Sequence, residues 1–377
     1  MRGIHRTIVL FFWLACGAMI ITALSACKKE APIHIGFVGG TSGRGADLGI
    51  SGRDAAQLLV ETRNCQGGIK GRRVQLLIRN DEQDPEVARR AVKELIEAGV
   101  EAIIGPMTSE MAMAVTPLLD EARVVSIAPT VTTEKLSGRD DHFFRVTTTT
   151  RSYARKSAHF NAGPGGMRRV AATYDLGNRA YCENWLENFT AVFTAQGGEI
   201  LTAIGFDTGE GGGFLELARE LLRHGTDGVL IIANSMDSAM ICQQIRKLDP
   251  QIRITLSDWG ATERLLELGG RAVEGVMVIQ PFDRHSTAPR YQQFRAAYLK
   301  RYGREPGFPG VYAYDATHVL LTALSARGKG RGLKETLLEI RTFEGLQGPI
   351  GFDDFGEVKR SSASISIVRN QKFIVLE

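Results

Sequence analysis

Two short apolar runs in this chain end in hydroxyl-bearing residues of the kind that hold an anion. Ile104-Gly-Pro-Met-Thr-Ser109 closes the run that starts at Ala102, and Ala128-Pro-Thr-Val-Thr132 closes the run that starts at Val124. A run with no polar alternation reads as a strand buried on both faces of a parallel sheet. Ligands of such sheets bind outside the carboxyl ends of the strands, where backbone N–H groups point outward. Ser109 then stands near a helix N-terminus, and its hydroxyl and N–H suit a carboxylate. Thr130 and Thr132 occupy the equivalent place on the neighbouring strand. Together the two loops form one half of a small-molecule site.

Other chemistries are not written into the chain. Gly39-Gly-Thr-Ser-Gly-Arg-Gly45 has the wrong spacing for a dinucleotide fingerprint, and no Gly-x-x-x-x-Gly-Lys-Ser/Thr phosphate loop occurs. There is no Gly-x-Ser-x-Gly elbow, and the single Ser-x-x-Lys, from Ser25 to Lys28, is split by the cleavage site described below. Seven scattered histidines show no metal-ligand spacing. The expectation is binding without catalysis, with neither metal nor cofactor. Tyr312 and Tyr314 flank a helix start, with core packing the expected role of Tyr314.

Length and composition set the frame. At 377 residues, 44% hydrophobic and 23% charged, the chain is long enough for two domains of ordinary size. Its net charge of +4 falls to +2 without Arg2 and Arg6, too little and too evenly spread for nucleic acid. Those arginines precede an apolar run from Ile8 to Ala23, the architecture of a signal peptide and short for a membrane span of about 20 residues. The run ends in Leu24-Ser-Ala-Cys27, which resembles the bacterial lipobox. Residues 1–26 are thus expected to be a cleaved signal peptide, Cys27 the lipidated residue, and 27–32 a linker. Everything beyond would be soluble but tethered. Cys65, Cys182 and Cys242 remain, an odd number without metal-like spacing and expected to be structural; a Cys182–Cys242 disulfide is left open.

The elements that position the loops follow from periodicity. Strands are expected at Ile33–Val38, Val74–Arg79, Ala102–Ile104, Val124–Ile127 and Phe143–Val146, with helices between the first four. Asp84 reads as an N-cap before Pro85, opening a helix that buries Val87, Ala91, Leu95 and Ile96. The rhythm restarts at Arg169 and runs to Ile279, giving an α/β chain with two parallel lobes. Helices near Tyr291–Arg301, Val311–Ala326 and Leu333–Ile340 and a terminal hairpin turning at Asn370-Gln371 follow. Breaks near Thr147–Thr150, Gln280–Asp283 and Gln347–Pro349 read as three crossings between lobes, a hinge about which they close.

At this point the residues resemble a family. Gly67-Gly-Ile-Lys-Gly71, Asp81-Glu-Gln-Asp-Pro85, Ile104-Gly-Pro-Met-Thr-Ser109 and Ala128-Pro-Thr-Val-Thr132 together look like the periplasmic-binding-protein type I fold. The branch is that of the leucine/isoleucine/valine-binding proteins that feed ABC importers. The resemblance implies two Rossmann-like lobes joined by a three-strand hinge, a Venus flytrap. Lobe 1 would hold residues 33–148 and 282–348, and lobe 2 residues 149–281 and 349–377. It implies a monomeric amino-acid receptor in the periplasm, held to the membrane by its lipid and delivering cargo to an ABC permease in the inner membrane. The cargo carboxylate would meet Ser109 and Thr132, and its ammonium the main chain near Thr130 and an acidic residue of lobe 2. Tyr181 matches an aromatic that selects the side chain.

Departures from the family pattern matter. Where its acidic residue often stands in a Gly-Pro-Glu-Gly-like stretch, this chain reads Ser257-Asp-Trp-Gly260. Either Asp258 takes the ammonium or Trp259 occupies that place as a wall. Asn234 replaces an expected aromatic, making that wall smaller and more polar. Arg44 lies in the first cleft loop; pointing inward it would pair with a second carboxylate on the ligand, and pointing outward it would be solvated.

Overall fold

The computed structural model describes residues 30–207, 213–223, 225–358 and 363–376. The expected leader (1–26) and Cys27 lie outside the described residues. Among the described residues no helix is long and apolar enough to cross a membrane.

The uninterrupted apolar runs do become buried parallel strands. β1 (Ile33–Gly39), β2 (Val74–Asn80), β3 (Ala102–Ile104), β4 (Val125–Ala128) and β5 (Phe143–Arg145) form one sheet in the order β2-β1-β3-β4-β5, all parallel. Helices α1 (Ala46–Cys65) and α10 (Gly307–Ala326) pack on one face of it, and α2 (Pro85–Glu97) and α3 (Ser109–Glu121) on the other. A second sheet contains β6 (Arg169–Asp175), β7 (Glu199–Phe206), β8 (Gly228–Ile232), β9 (Arg253–Leu256) and β10 (Met277–Gln280), again parallel. An antiparallel pair, β13 (Ser364–Arg369) and β14 (Lys372–Val375), extends it beyond β10. Helices α4 (Thr150–Ala162) and α5 (Arg179–Ala195) cover one face, and α6 (Phe214–Leu222), α7 (Ser235–Leu248) and α8 (Glu263–Gly269) the other. The remaining helices, α9 (Pro289–Tyr302) and α11 (Leu333–Ile340), flank α10, and β11 (Thr342–Gly345) pairs with β12 (Gly348–Gly351). Each sheet is thus covered on both sides, which is what strands apolar on both faces require.

Three expectations need correction. Helix α4 falls where the sequence pattern gives only a crossing and a loop. Its buried face is built from Ala154, Ser157, Ala158 and Asn161 beside Tyr153 and Phe160, small or polar residues that leave almost no apolar periodicity. In α2 the Asp84 side chain does cap Glu86 and Val87, and Ala91 and Leu95 are buried as expected, but Ala88 and Val92 complete the buried stripe while Val87 and Ile96 are only half-buried. The third crossing lies later than Gln347–Pro349. Residues 349–358, expected in the second lobe, stay on the first: Phe352 meets Phe144 edge-on at 5.4 Å, and Arg145 donates to the Gly356 carbonyl and ion-pairs with Glu357 at 2.6 Å. An arginine almost fully buried beneath that segment holds it there.

Two close approaches set the loops that matter for function. A Cβ on Gly105 would fall 2.1 Å from the Val38 carbonyl oxygen, and one on Gly49 would fall 2.0 Å from that of Gly40. Only glycine lets β3 end against β1 and α1 ride against the loop that carries Arg44.

Candidate functional site

The carboxyl ends of the first sheet face the second lobe, and a small cavity of about 20 Å³ lies between them, room for about one water. Leu48, Met107, Thr108, Ser109, Thr130 and Phe308 line it from the first lobe, and Asn178, Tyr181, Asp258 and Trp259 from the second. A larger groove of about 300 Å³ runs between α1, α9 and α10 on the first lobe. Of the residues weighed in the sequence it contains only Tyr314, expected to pack in the core, so size alone does not mark the site. The lobes meet around the cleft cavity through Arg44–Asp237 and Asp47–Ser235, and admitting a solute larger than water requires them to part.

Ser109 opens α3, and its Oγ sits 3.4 Å and 3.3 Å from the backbone nitrogens of Thr132 and Thr133, so the two loops converge on one hydroxyl. Thr130 donates to the Met107 carbonyl. Thr132 is buried behind Ser109 rather than lining the cavity: its Oγ1 accepts from the Thr150 hydroxyl at 2.9 Å, and its carbonyl accepts from the Thr150 N–H at 2.8 Å. Residues that the sequence grouped by pattern are therefore neighbours, with Thr132 one layer further back.

Across the cleft, α5 points its N-terminus back at that of α3. The Asn178 side chain accepts from Glu110 N–H at 3.0 Å, and the Glu110 carboxylate accepts from Ala180 N–H at 2.7 Å. Each helix thereby satisfies one unpaired N–H of the other. Two positive helix ends converge where an anion would sit. Neither Glu110 nor Asn178 was singled out in the sequence, because a contact across 68 residues leaves no local spacing to read.

Asp258 begins a short 3₁₀ turn, Asp258–Gly260, just past β9. One of its oxygens accepts both the Tyr181 hydroxyl at 2.7 Å and the Trp185 indole N–H at 3.0 Å. Burial pushes its carboxyl up to about 6, and those two hydrogen bonds hold it from rising further. Trp259 stands next to it, edge-on to Tyr181 with ring centroids 5.7 Å apart. Asp258 and Trp259 thus both line the cavity.

Arg44 and Asn234 lie elsewhere. Arg44 reaches across the cleft to ion-pair with Asp237, a fully buried carboxylate in the first turn of α7. Asn234 caps that helix, accepting from Asp237 N–H at 2.9 Å and donating back to its carboxylate at 2.5 Å. Neither lines the cavity. A second bridge runs beside the first: Asp47 accepts from Ser235 at 2.6 Å and Thr262 at 2.7 Å, and burial raises its pKa. Tyr312 is likewise buried, donating to the Pro281 carbonyl at the second crossing. Cys182 and Cys242 are buried free thiols; no cluster of metal-ligating groups occurs among the described residues.

A cleft between two α/β lobes, lined by helix N-termini on both sides, is the geometry of a molecule that closes over a small solute. The family model for the periplasmic binding proteins matches residues 32–370. The chain belongs to that family. Among the periplasmic binding proteins it is 22% identical over 370 residues to Leu/Ile/Val-binding protein homolog 3 of Brucella melitensis, covering 97% of this chain and 99% of that one. Its fold matches the isoleucine-bound substrate-binding protein LivJ of a branched-chain amino acid transporter from Streptococcus pneumoniae, with a TM-score of 0.83 at 22% identity over 92% and 99% of the two chains. A solute-binding protein from Rhodopseudomonas palustris, solved with 3,4-dihydroxybenzoic acid, matches with a TM-score of 0.81 at 22% identity over 92% and 96%. At such identities these structures share the fold, while their solutes differ.

Proposed function

We propose that this chain is the extracytoplasmic receptor of an ABC importer, which closes its lobes over one amino acid and delivers it to a permease. The observation that carries this reading is the polarity of the cavity. One wall offers the Ser109 hydroxyl at the start of α3 with the N-terminus of α5 facing it, and the other offers the Asp258 carboxylate. A zwitterion leaving water needs both of its charges paired, or desolvation dominates. Charged hydrogen bonds of about 1.5–3 kcal/mol each, offset by the cost of association, are compatible with micromolar affinity. Leu48, Met107, Phe308 and the Trp259 ring supply apolar surface for the body of the solute. Thr132 supports Ser109 from behind.

One observation favours a second reading. Asp258 already accepts two hydrogen bonds from its own lobe, and burial pushes it towards the neutral form. A small carboxylate without an amine would then be the cargo. A thermal-shift and calorimetric panel of amino acids and amine-free carboxylates separates the two. Ligand at a hundred times its Kd stabilises by about 2.7 kcal/mol, a shift of several degrees. A hit among amino acids supports the first reading, and hits confined to amine-free acids the second; silence across the panel removes both.

The address belongs to the same proposal: cleavage before Cys27, a lipid on its thiol, and a monomer tethered at the membrane surface in the periplasm. Cys27→Ser is expected to release the protein from membranes, and retention of a correctly processed Cys27→Ser chain would contradict the anchor.

A further inference from the structure

Several of the polar groups around the cavity are engaged within the protein. Thr130 donates to Met107, Tyr181 donates to Asp258, Asp258 accepts twice, and Ser109 faces the Thr132 and Thr133 nitrogens. Among the described lining residues, the indole N–H of Trp259 is the buried side-chain polar atom that meets no acceptor. An indole nitrogen is a donor only, so a water or a ligand acceptor is its sole remaining remedy. Leaving such a donor unpaired is unfavourable, and buried indoles normally find a partner. Tyr181, packed edge-on against the Trp259 ring, has its hydroxyl engaged with Asp258.

We propose that Trp259 Nε1 donates to an oxygen on the bound solute, so that the cleft selects small carboxylates bearing a second acceptor (a hydroxyl, carbonyl or amide oxygen) over purely aliphatic ones. The inference rests on the receptor reading above. It makes Trp259 a specificity-determining residue and the cavity a three-point site: helix N-termini for the carboxylate, apolar walls for the body, and the indole for the second oxygen. A pocket that holds a dedicated donor rejects an analogue lacking the matching acceptor, because the donor is then left buried and unpaired.

Isosteric pairs test this in the full chain: threonine against valine, asparagine against leucine, and 3-hydroxybutanoate against 3-methylbutanoate for an amine-free cargo. Affinities are measured by calorimetry for the native protein and for Trp259→Phe, which keeps an aromatic wall and deletes the donor. The expected result is at least a fivefold preference for the oxygen-bearing member of a pair, lost in Trp259→Phe, whose empty form melts no lower than the native one. Binding without preference overturns the inference and leaves the receptor reading standing; so does a preference that Trp259→Phe leaves unchanged. Binding of no pair at all, by protein that melts cooperatively, overturns the receptor reading and this inference with it.

Discussion

At the scale of single residues, the site depends on how each polar group is already satisfied. Ser109 Oγ makes only long contacts, at 3.3 Å and 3.4 Å, so Ser109→Ala should weaken solute binding more than tenfold while costing the empty protein less than about 1 kcal/mol. Calorimetry and thermal melts of the same samples check both halves, and lost stability with intact affinity would take Ser109 out of the site. Asp258 carries a pH signature. Its carboxyl is raised from 3.8 to about 6, and an ammonium needs it ionised, so the Kd of an amine-bearing solute should rise up to tenfold per pH unit below about 6. Asp258→Asn should flatten that profile, and an amine-free solute should show no such dependence. A profile equally flat for native protein and Asp258→Asn, with an amino acid bound, would place the ammonium elsewhere. The strand-end pattern pointed to Ser109 and Thr130, and the family resemblance to Tyr181, Asp258 and Trp259; all five line one cavity. Sequence spacing could not reveal that Arg44 and Asn234 serve Asp237, since an isolated buried carboxylate attracts partners from wherever the fold supplies them.

At the scale of elements, the closed cleft is fastened by side chains from the starts of helices. Arg44 to Asp237 and Asp47 to Ser235 and Thr262 tie the β1–α1 loop and α1 to α7 and α8, with no atom in the cavity itself. Arg44→Ala should therefore shift the lobes towards the open form and raise Kd several-fold, chiefly through faster release. Small-angle scattering of the solute-free protein should show a larger radius of gyration for Arg44→Ala. An unchanged radius with unchanged affinity would mean that the pair does not stabilise closure. Strongly periodic or uniformly apolar elements were legible in advance; β1, β3 and β8 needed nothing beyond their own residues. Helix α4 was not, because Ser157 and Asn161 on its buried face, with Asn161 donating to the Ser157 carbonyl and to Thr255, look like surface residues in one dimension. The position of residues 349–358 was also hidden, since it is set by Arg145, more than 200 residues earlier.

For the molecule as a whole, burial of carboxylates sets the response to pH. Asp81, Asp175 and Asp258 are all raised to about 6 from 3.8 by desolvation. A raised carboxyl contributes stability that is fully present below about pH 4 and lost as pH rises through about 6, because the folded state holds the proton more tightly. The melting temperature of the empty protein should accordingly fall between pH 4 and 7, and a melt that rises over that range would contradict the shifts. The two-lobed plan was readable from the restart of the strand–helix rhythm at Arg169, whereas the closed arrangement of the lobes was not, being decided by contacts between distant loops. The plan also governs the order in which the protein can come into being. Strand β13 pairs with β10 across about 85 residues, and the segment between them builds α9, α10 and α11 onto the first sheet. Neither lobe is complete until the far end of the chain has been made. A ribosome that stops short of Ser364 leaves β10 as a bare sheet edge, open to the wrong partner. The terminal hairpin thus closes an edge that every earlier stage of synthesis leaves open.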